Sequence, residues 1–197
     1  MPAPRLLLIK HSLPEIDPAR PADEWPLGLE GRRRCLALAE RLMQYRPQAL
    51  FCSLETKARQ TAAILADRLS LPVTPTAGLH EHARRSAGFG TPEQFQADVQ
   101  RFFAHPEQLV FGEETARAAQ ARFTFAIAGL LQANPAQTLA VVAHGTVISL
   151  FSQPHLDPGD AAAVYRFWQQ LGLPSIVVFE LPGLRLLETI EHLEDLP

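Results

Sequence analysis

The stretch LLLIKHS, Leu6 to Ser12, sets four consecutive apolar residues directly against a lysine and a histidine. An unbroken apolar run of this length is the pattern of a strand buried on both faces, as in a parallel sheet. The same construction returns twice. Ala49–Cys52 leads into Ser53-Leu54-Glu55-Thr56-Lys57, and Leu139–Ala143 leads into His144-Gly145-Thr146. Ile176–Phe179 is a fourth buried run. Leu71–Thr76 and Leu184–Ile190 are weaker strand candidates, the second following a Pro182-Gly183 turn that suggests a closing hairpin.

Helical spacing fills the gaps. Cys35, Leu38, Ala39 and Leu42 form one apolar stripe, and Ala58, Ala62, Leu65 and Leu69 a second. A third runs through Ala119, Phe123, Ala126, Ile127 and Leu130, within a stretch from about Glu113 to Gln132. Strands alternating with helices predict an α/β fold, a three-layer α/β/α arrangement around a mainly parallel sheet. The segment from His80 to about Gly112 is less regular, with one helix after Thr91-Pro92, and reads as a small lobe over the carboxyl edge of the sheet. In such sheets ligands bind in the crevice at the carboxyl ends of the strands. The residues that follow the three apolar runs are therefore expected to converge there.

Composition narrows the possibilities further. A chain of 197 residues fits one domain spanning 1–197, and 47% hydrophobic and 20% charged residues are ordinary globular proportions. The net charge of −3 supplies no basic field to gather nucleic acid. No apolar run approaches a membrane span or a signal-peptide core. Cys35 and Cys52 lie in apolar stretches and read as buried thiols, which fits a reducing, cytoplasmic setting. Oligomeric state is left open, a homodimer being compatible with the sequence.

Several motifs, taken in order, resemble the histidine phosphatase superfamily, also called the phosphoglycerate mutase-like proteins, over roughly Leu6 to Ile148. Lys10-His11-Ser12 stands where that family has Arg-His-Gly after its first strand. Leu27 through Gly31 is similar to its Leu-Thr-x-x-Gly segment. Ser53 through Ala62, SLETKARQTA, looks like its S-x-L-x-R-A-x-Q-T-A stretch. Glu114-Thr115 with Arg122 echoes a Glu-Ser and later Arg pattern, and Val141 through Gly145 matches the second-histidine motif. The resemblance implies that His11 is the nucleophile, His144 the second pocket histidine and Glu81 the proton donor. It further implies that Lys10 and Lys57, with Ser12 and Gly145, hold the substrate phosphate, and that no cofactor or metal is required.

Both matched phosphate positions carry lysine where the family has arginine. Lys10 and Lys57 are the only lysines in a chain with 18 basic residues. Their joint placement reads as a coupled, retained variant. Lysine brings a compact charge, whereas arginine brings a planar fork that holds two phosphate oxygens at once.

The chemistry expected is hydrolysis of a small phosphomonoester through a phosphohistidine, since phosphoryl transfer asks mainly for positioning and positive charge. Alternatives are a phosphoglycerate-type mutase, or a phosphate-ligand binding protein with weakened catalysis. Glu15 and Glu114 are substitutes for Glu81 as the acid. His80 and His82 flank Glu81, but two histidines without a spaced third ligand do not make a metal set. His105, His155 and His192 read as surface or loop residues, and Arg32, Arg33 and Arg34 as a solvated helix face.

Overall fold

The computed structural model of the chain describes residues 3–87, 90–157, 160 and 162–191. The strands are β1 (Arg5–Lys10), β2 (Ala49–Cys52), β3 (Val73–Pro75), β4 (Leu139–Ala143), β5 (Ser175–Glu180) and β6 (Arg185–Ile190). The helices are α1 (Leu29–Met43), α2 (Thr56–Leu69), α3 (Pro92–Ala104), α4 (Ala116–Ala133), α5 (Gly145–Ser152) and α6 (Ala163–Gln170). His192 lies outside the described residues.

The strands form one six-stranded sheet in the order β3-β2-β4-β1-β5-β6. Strands β3, β2, β4 and β1 are parallel, whereas β5 runs antiparallel to β1 and β6 antiparallel to β5. The hairpin expected at the end of the sequence is thus present. Of the weak candidate Leu71–Thr76, only Val73–Pro75 pairs, at the sheet edge where a proline costs no ladder bond.

The apolar run in β1 is explained by what covers it. Leu6 and Leu8 face one core with Phe102 of α3, Phe123 and Ile127 of α4, Ile148 of α5 and Phe167 of α6. Leu7 and Ile9 face the other, with Leu38 and Leu42 of α1 and Ala58, Ala62 and Leu65 of α2. Successive side chains of a strand point to opposite faces, so a strand between two helical layers must be apolar throughout. This is the three-layer α/β/α arrangement.

Two helices lie outside the three apolar stripes. Every residue of α5 is buried, so it shows no polar face to set a period against. Helix α6 has eight residues, of which Val164 and Phe167 are buried. Helix α4 starts at Ala116, later than its apolar pattern allows, because the Thr115 hydroxyl accepts the Ala118 amide at 3.1 Å and caps it.

Register fixes the site. Lys10 pairs with Ala143 of β4 and with Ser175 of β5. The His11 amide donates to the Ala143 carbonyl at 3.0 Å, and the Ser53 amide to the Val142 carbonyl at 2.9 Å. The ends of β1, β2 and β4 therefore lie side by side. Because β5 is reversed, the chain just before it, including Leu171, returns to this same edge.

Candidate active site

His11 and His144 meet at the carboxyl edge, their rings edge-on with centroids 5.2 Å apart. Both are buried. His11 Nδ1 donates to the Ser12 carbonyl at 2.8 Å; a carbonyl can only accept, so the proton sits on Nδ1 and the Nε2 lone pair is free. Burial, the neighbouring His144 and the charge of Lys57 hold His11 well below its ordinary value, and it is neutral at physiological pH. His144 is lowered in the same way, first by burial and then by Lys57. Its Nε2 is hydrogen-bonded to Ser53 Oγ at 2.8 Å. Its buried Nδ1 has no hydrogen-bond partner among the described residues.

The two lysines, one at the end of β1 and one in the first turn of α2, both reach backbone carbonyls. Lys10 Nζ donates to the Leu171 carbonyl at 2.6 Å, at the end of α6. Burial pulls this amine down to about 8, with the Glu81 charge opposing the shift. Gly145 leaves it room: a Cβ there would lie 3.1 Å from Lys10 Cε. Lys57 Nζ donates to the Ala22 carbonyl at 2.7 Å and to Glu55 Oε2 at 2.6 Å.

Glu81 is held by two backbone amides, one of them in the helix that follows His144. Its Oε2 accepts the Thr146 amide in the first turn of α5 at 3.2 Å, and its Oε1 accepts the His82 amide at 2.9 Å. Burial disfavours its charge, but His144, Arg84 and the His82 amide outweigh burial and hold the carboxyl below its ordinary value. Neither substitute acid is placed to do its work. Glu15 is exposed. Glu114 pairs with Arg122 at 2.5 Å and accepts the Ala83 amide at 2.9 Å.

Ser12 contributes to this site through its carbonyl. Its hydroxyl donates inward to Gly31 at 2.7 Å, and its amide donates to Thr61 Oγ1 at 3.1 Å. That hydroxyl is thus committed to α1. The histidines beside Glu81 also part company. His82 is packed against Phe102 and Phe111, with ring centroids 4.2 and 4.6 Å away, and its Nε2 is 3.1 Å from the Glu114 carbonyl. His80 lines the cavity described next. His105 and His155 are exposed. Of the arginine triplet, Arg34 leaves the solvated face by donating to the Leu173 carbonyl at 3.0 Å.

Two groups have roles that their motifs did not reveal. Glu55 has a side chain only 10% exposed, and besides Lys57 it accepts the Glu81 amide at 2.7 Å and lies 3.5 Å from His144 Nε2. Arg122 donates to the carbonyls of Gly78, His80 and Glu81 at 2.8, 2.9 and 3.1 Å, and so carries the whole loop on which Glu81 sits. A cavity of about 450 Å³ opens on this arrangement, lined by Glu55, Lys57, His80, Glu81 and Arg84 among others; neither His11 nor His144 is in its lining.

Neutral imidazoles, two amines and a carboxylate at one sheet edge are suited to phosphoryl transfer. The chain is similar in structure to mycobacterial glucosyl-3-phosphoglycerate phosphatase in complex with VO3, at 23% identity and a TM-score of 0.74, over 96% of this chain and 99% of that one. It is similar to phosphoserine phosphatase of Entamoeba histolytica, at 16% identity and a TM-score of 0.77, over 98% and 99%. Bacillus stearothermophilus YhfR gives 20% identity and a TM-score of 0.74, over 96% of each chain. At these identities the likeness is one of fold. No curated protein matches the chain. The family pattern matches residues 8–188, which take in His11, His144, both lysines and most of the β5–β6 hairpin; the chain belongs to the histidine phosphatase superfamily, branch 1.

Proposed function

We propose that the protein is a phosphatase that hydrolyses a small phosphomonoester through a phosphohistidine on His11. The observation that carries the reading is the pairing of His11 with His144 at 5.2 Å, with Nε2 of His11 held free by the Nδ1 bond to Ser12. Phosphatases among the structural neighbours add support.

In this reading His11 Nε2 attacks phosphorus, the bond to the leaving oxygen breaks, and Glu81 gives that oxygen a proton. Water then attacks the phosphohistidine, passes its proton to Glu81 and releases inorganic phosphate from His11. Lys10 and Lys57 neutralise the phosphoryl oxygens, the task to which cationic groups are put in phosphoryl transfer. The unpartnered Nδ1 of His144 is a fitting donor to one of them, since a buried polar atom without a partner is costly. Glu81 is held ionised in the empty site, and an arriving phosphate dianion raises its proton affinity by like-charge repulsion. The carboxyl thus acquires its proton when a substrate needs it.

The test is a chemical trap. Incubation with a labelled phosphodonor and a quench in base is expected to leave label on His11, because phosphohistidine survives base and not acid. H11A is expected to lose both label and turnover. Full activity in H11A would assign the chemistry to another residue.

A further inference from the structure

The geometry points to Glu55 as a built-in rival of the substrate phosphate: a positioning residue that holds Lys57 while the site is empty and yields it when phosphate arrives. This rests on the phosphatase reading above. In the S-x-L-x-R-A-x-Q-T-A pattern that Ser53 through Ala62 resembles, the place of Glu55 belongs to leucine. A charged group has thus been put where the pattern has an apolar one, two residues from Lys57.

Glu55 is no bystander. Its Oε2 lies 2.6 Å from Lys57 Nζ, with the two side chains 10% and 7% exposed. Burial disfavours a carboxylate here, but the Lys57 charge and hydrogen bond and the Glu81 amide overcome burial and keep Glu55 ionised. The Lys57 ammonium has three donors, and two are committed, to Glu55 and to the Ala22 carbonyl. Glu55 and Lys57 line the cavity, whereas His11 and His144 do not. Glu55 also stands 3.5 Å from His144 Nε2. Phosphate reaching His11 must come close to this carboxylate and must draw on the ammonium that the carboxylate holds. Glu55 therefore weakens phosphate binding twice, by occupying Lys57 and by repelling the dianion. For a hydrolase that must release phosphate after every turnover, this favours product departure.

The experiment compares wild type, E55Q, K57M and the E55Q/K57M double variant. Inorganic phosphate binding is measured by calorimetry, and kcat and KM with p-nitrophenyl phosphate. The glutamine keeps an oxygen for the Glu81 amide and removes the charge. E55Q is expected to bind phosphate about ten- to a hundredfold more tightly, the size of one charge-assisted hydrogen bond. KM should fall with it and kcat should not rise. With K57M in place, the gain from E55Q should shrink, because no ammonium is left to free. If E55Q does not fold, E55L, which restores the residue of the pattern, takes its place with the same expectation. Phosphate affinity unchanged or weakened in E55Q, beside active wild type, overturns the role of Glu55 and leaves the phosphatase reading standing. A gain equally large with and without Lys57 also overturns it. Tighter phosphate in E55Q, with no label on His11 and no turnover in wild type, supports the role of Glu55 and sinks the phosphatase reading instead.

Discussion

Glu81 Oε2 accepts the amide of Thr146 in the first turn of α5, one residue beyond Gly145 and two beyond His144. The candidate acid and the second histidine are thus held by the same few backbone atoms. E81Q keeps an oxygen for that bond but cannot pass a proton. It is expected to lower kcat on alkyl phosphates about 10²- to 10⁴-fold, with a much smaller loss on p-nitrophenyl phosphate, whose leaving group needs little help. Equal losses on both substrates would take proton donation away from Glu81.

Lys10 should write itself into the pH profile. Its amine, lowered to about 8, is charged below that pH and neutral above it. The phosphate site loses a positive charge as pH rises, so kcat/KM for p-nitrophenyl phosphate should decline on an alkaline limb centred near 8. His11 titrates well below 6.5, so its protonation should cause no loss between pH 8 and 6.5. K10R should abolish the alkaline limb, because arginine stays charged. Its absolute activity should be lower, because the stem passes Gly145 too closely to admit a guanidinium. A limb near 8 that survives K10R belongs to another group.

Arg122 and Glu114 act at one remove. Each sits on or beside α4, and their pair, 19% and 14% exposed, carries the three carbonyls of the Glu81 loop. R122M leaves Glu114 without its partner, and a loss of about 2–4 kcal/mol in urea unfolding is expected, less than for a fully buried pair. Turnover of alkyl phosphates should fall more than that of p-nitrophenyl phosphate, because the loop aims the acid. R122K should recover part of the stability through its charge and little of the alkyl phosphate turnover.

Gly31 is fixed by contact and not by backbone angle. A Cβ at this position of α1 would stand 2.0 Å from the Leu13 carbonyl oxygen. In an open helix, alanine is better than glycine by about 1 kcal/mol. G31A is nevertheless expected to destabilise by about 1–3 kcal/mol, the range of overpacked sites, and to displace Ser12, whose hydroxyl bonds to the Gly31 carbonyl. Calorimetric unfolding of the two proteins decides the sign.

The histidines and lysines were legible because each follows an apolar run, and a parallel sheet gathers such residues whatever their separation in sequence. The role of Glu55 was not legible. The residue falls at the N-cap of α2, where a carboxylate is unremarkable, and only the folded chain sets it against Lys57, Glu81 and His144. Arg122 stood out in its motif, but its hold on the Glu81 loop depends on three carbonyls that only the folded chain brings to it. Ser12 shows the opposite failure: its place after the strand was read, but which way its hydroxyl turned depended on Gly31 coming near. Helix α5 escaped because burial on all sides erases periodicity.

The sheet order has a bearing on self-association. Strand β1, with Leu6 to Ile9 in one run, would be a hazardous edge, open to pairing with another molecule. The reversed β5 covers it, and the rim passes to β6, which carries Arg185 and Glu188. The opposite rim, β3, is three residues long and ends in Pro75. Charges on one rim and a short, proline-terminated strand on the other leave no clean template for a further strand. The molecule can therefore keep the apolar run of β1 next to His11 without that run recruiting a second chain.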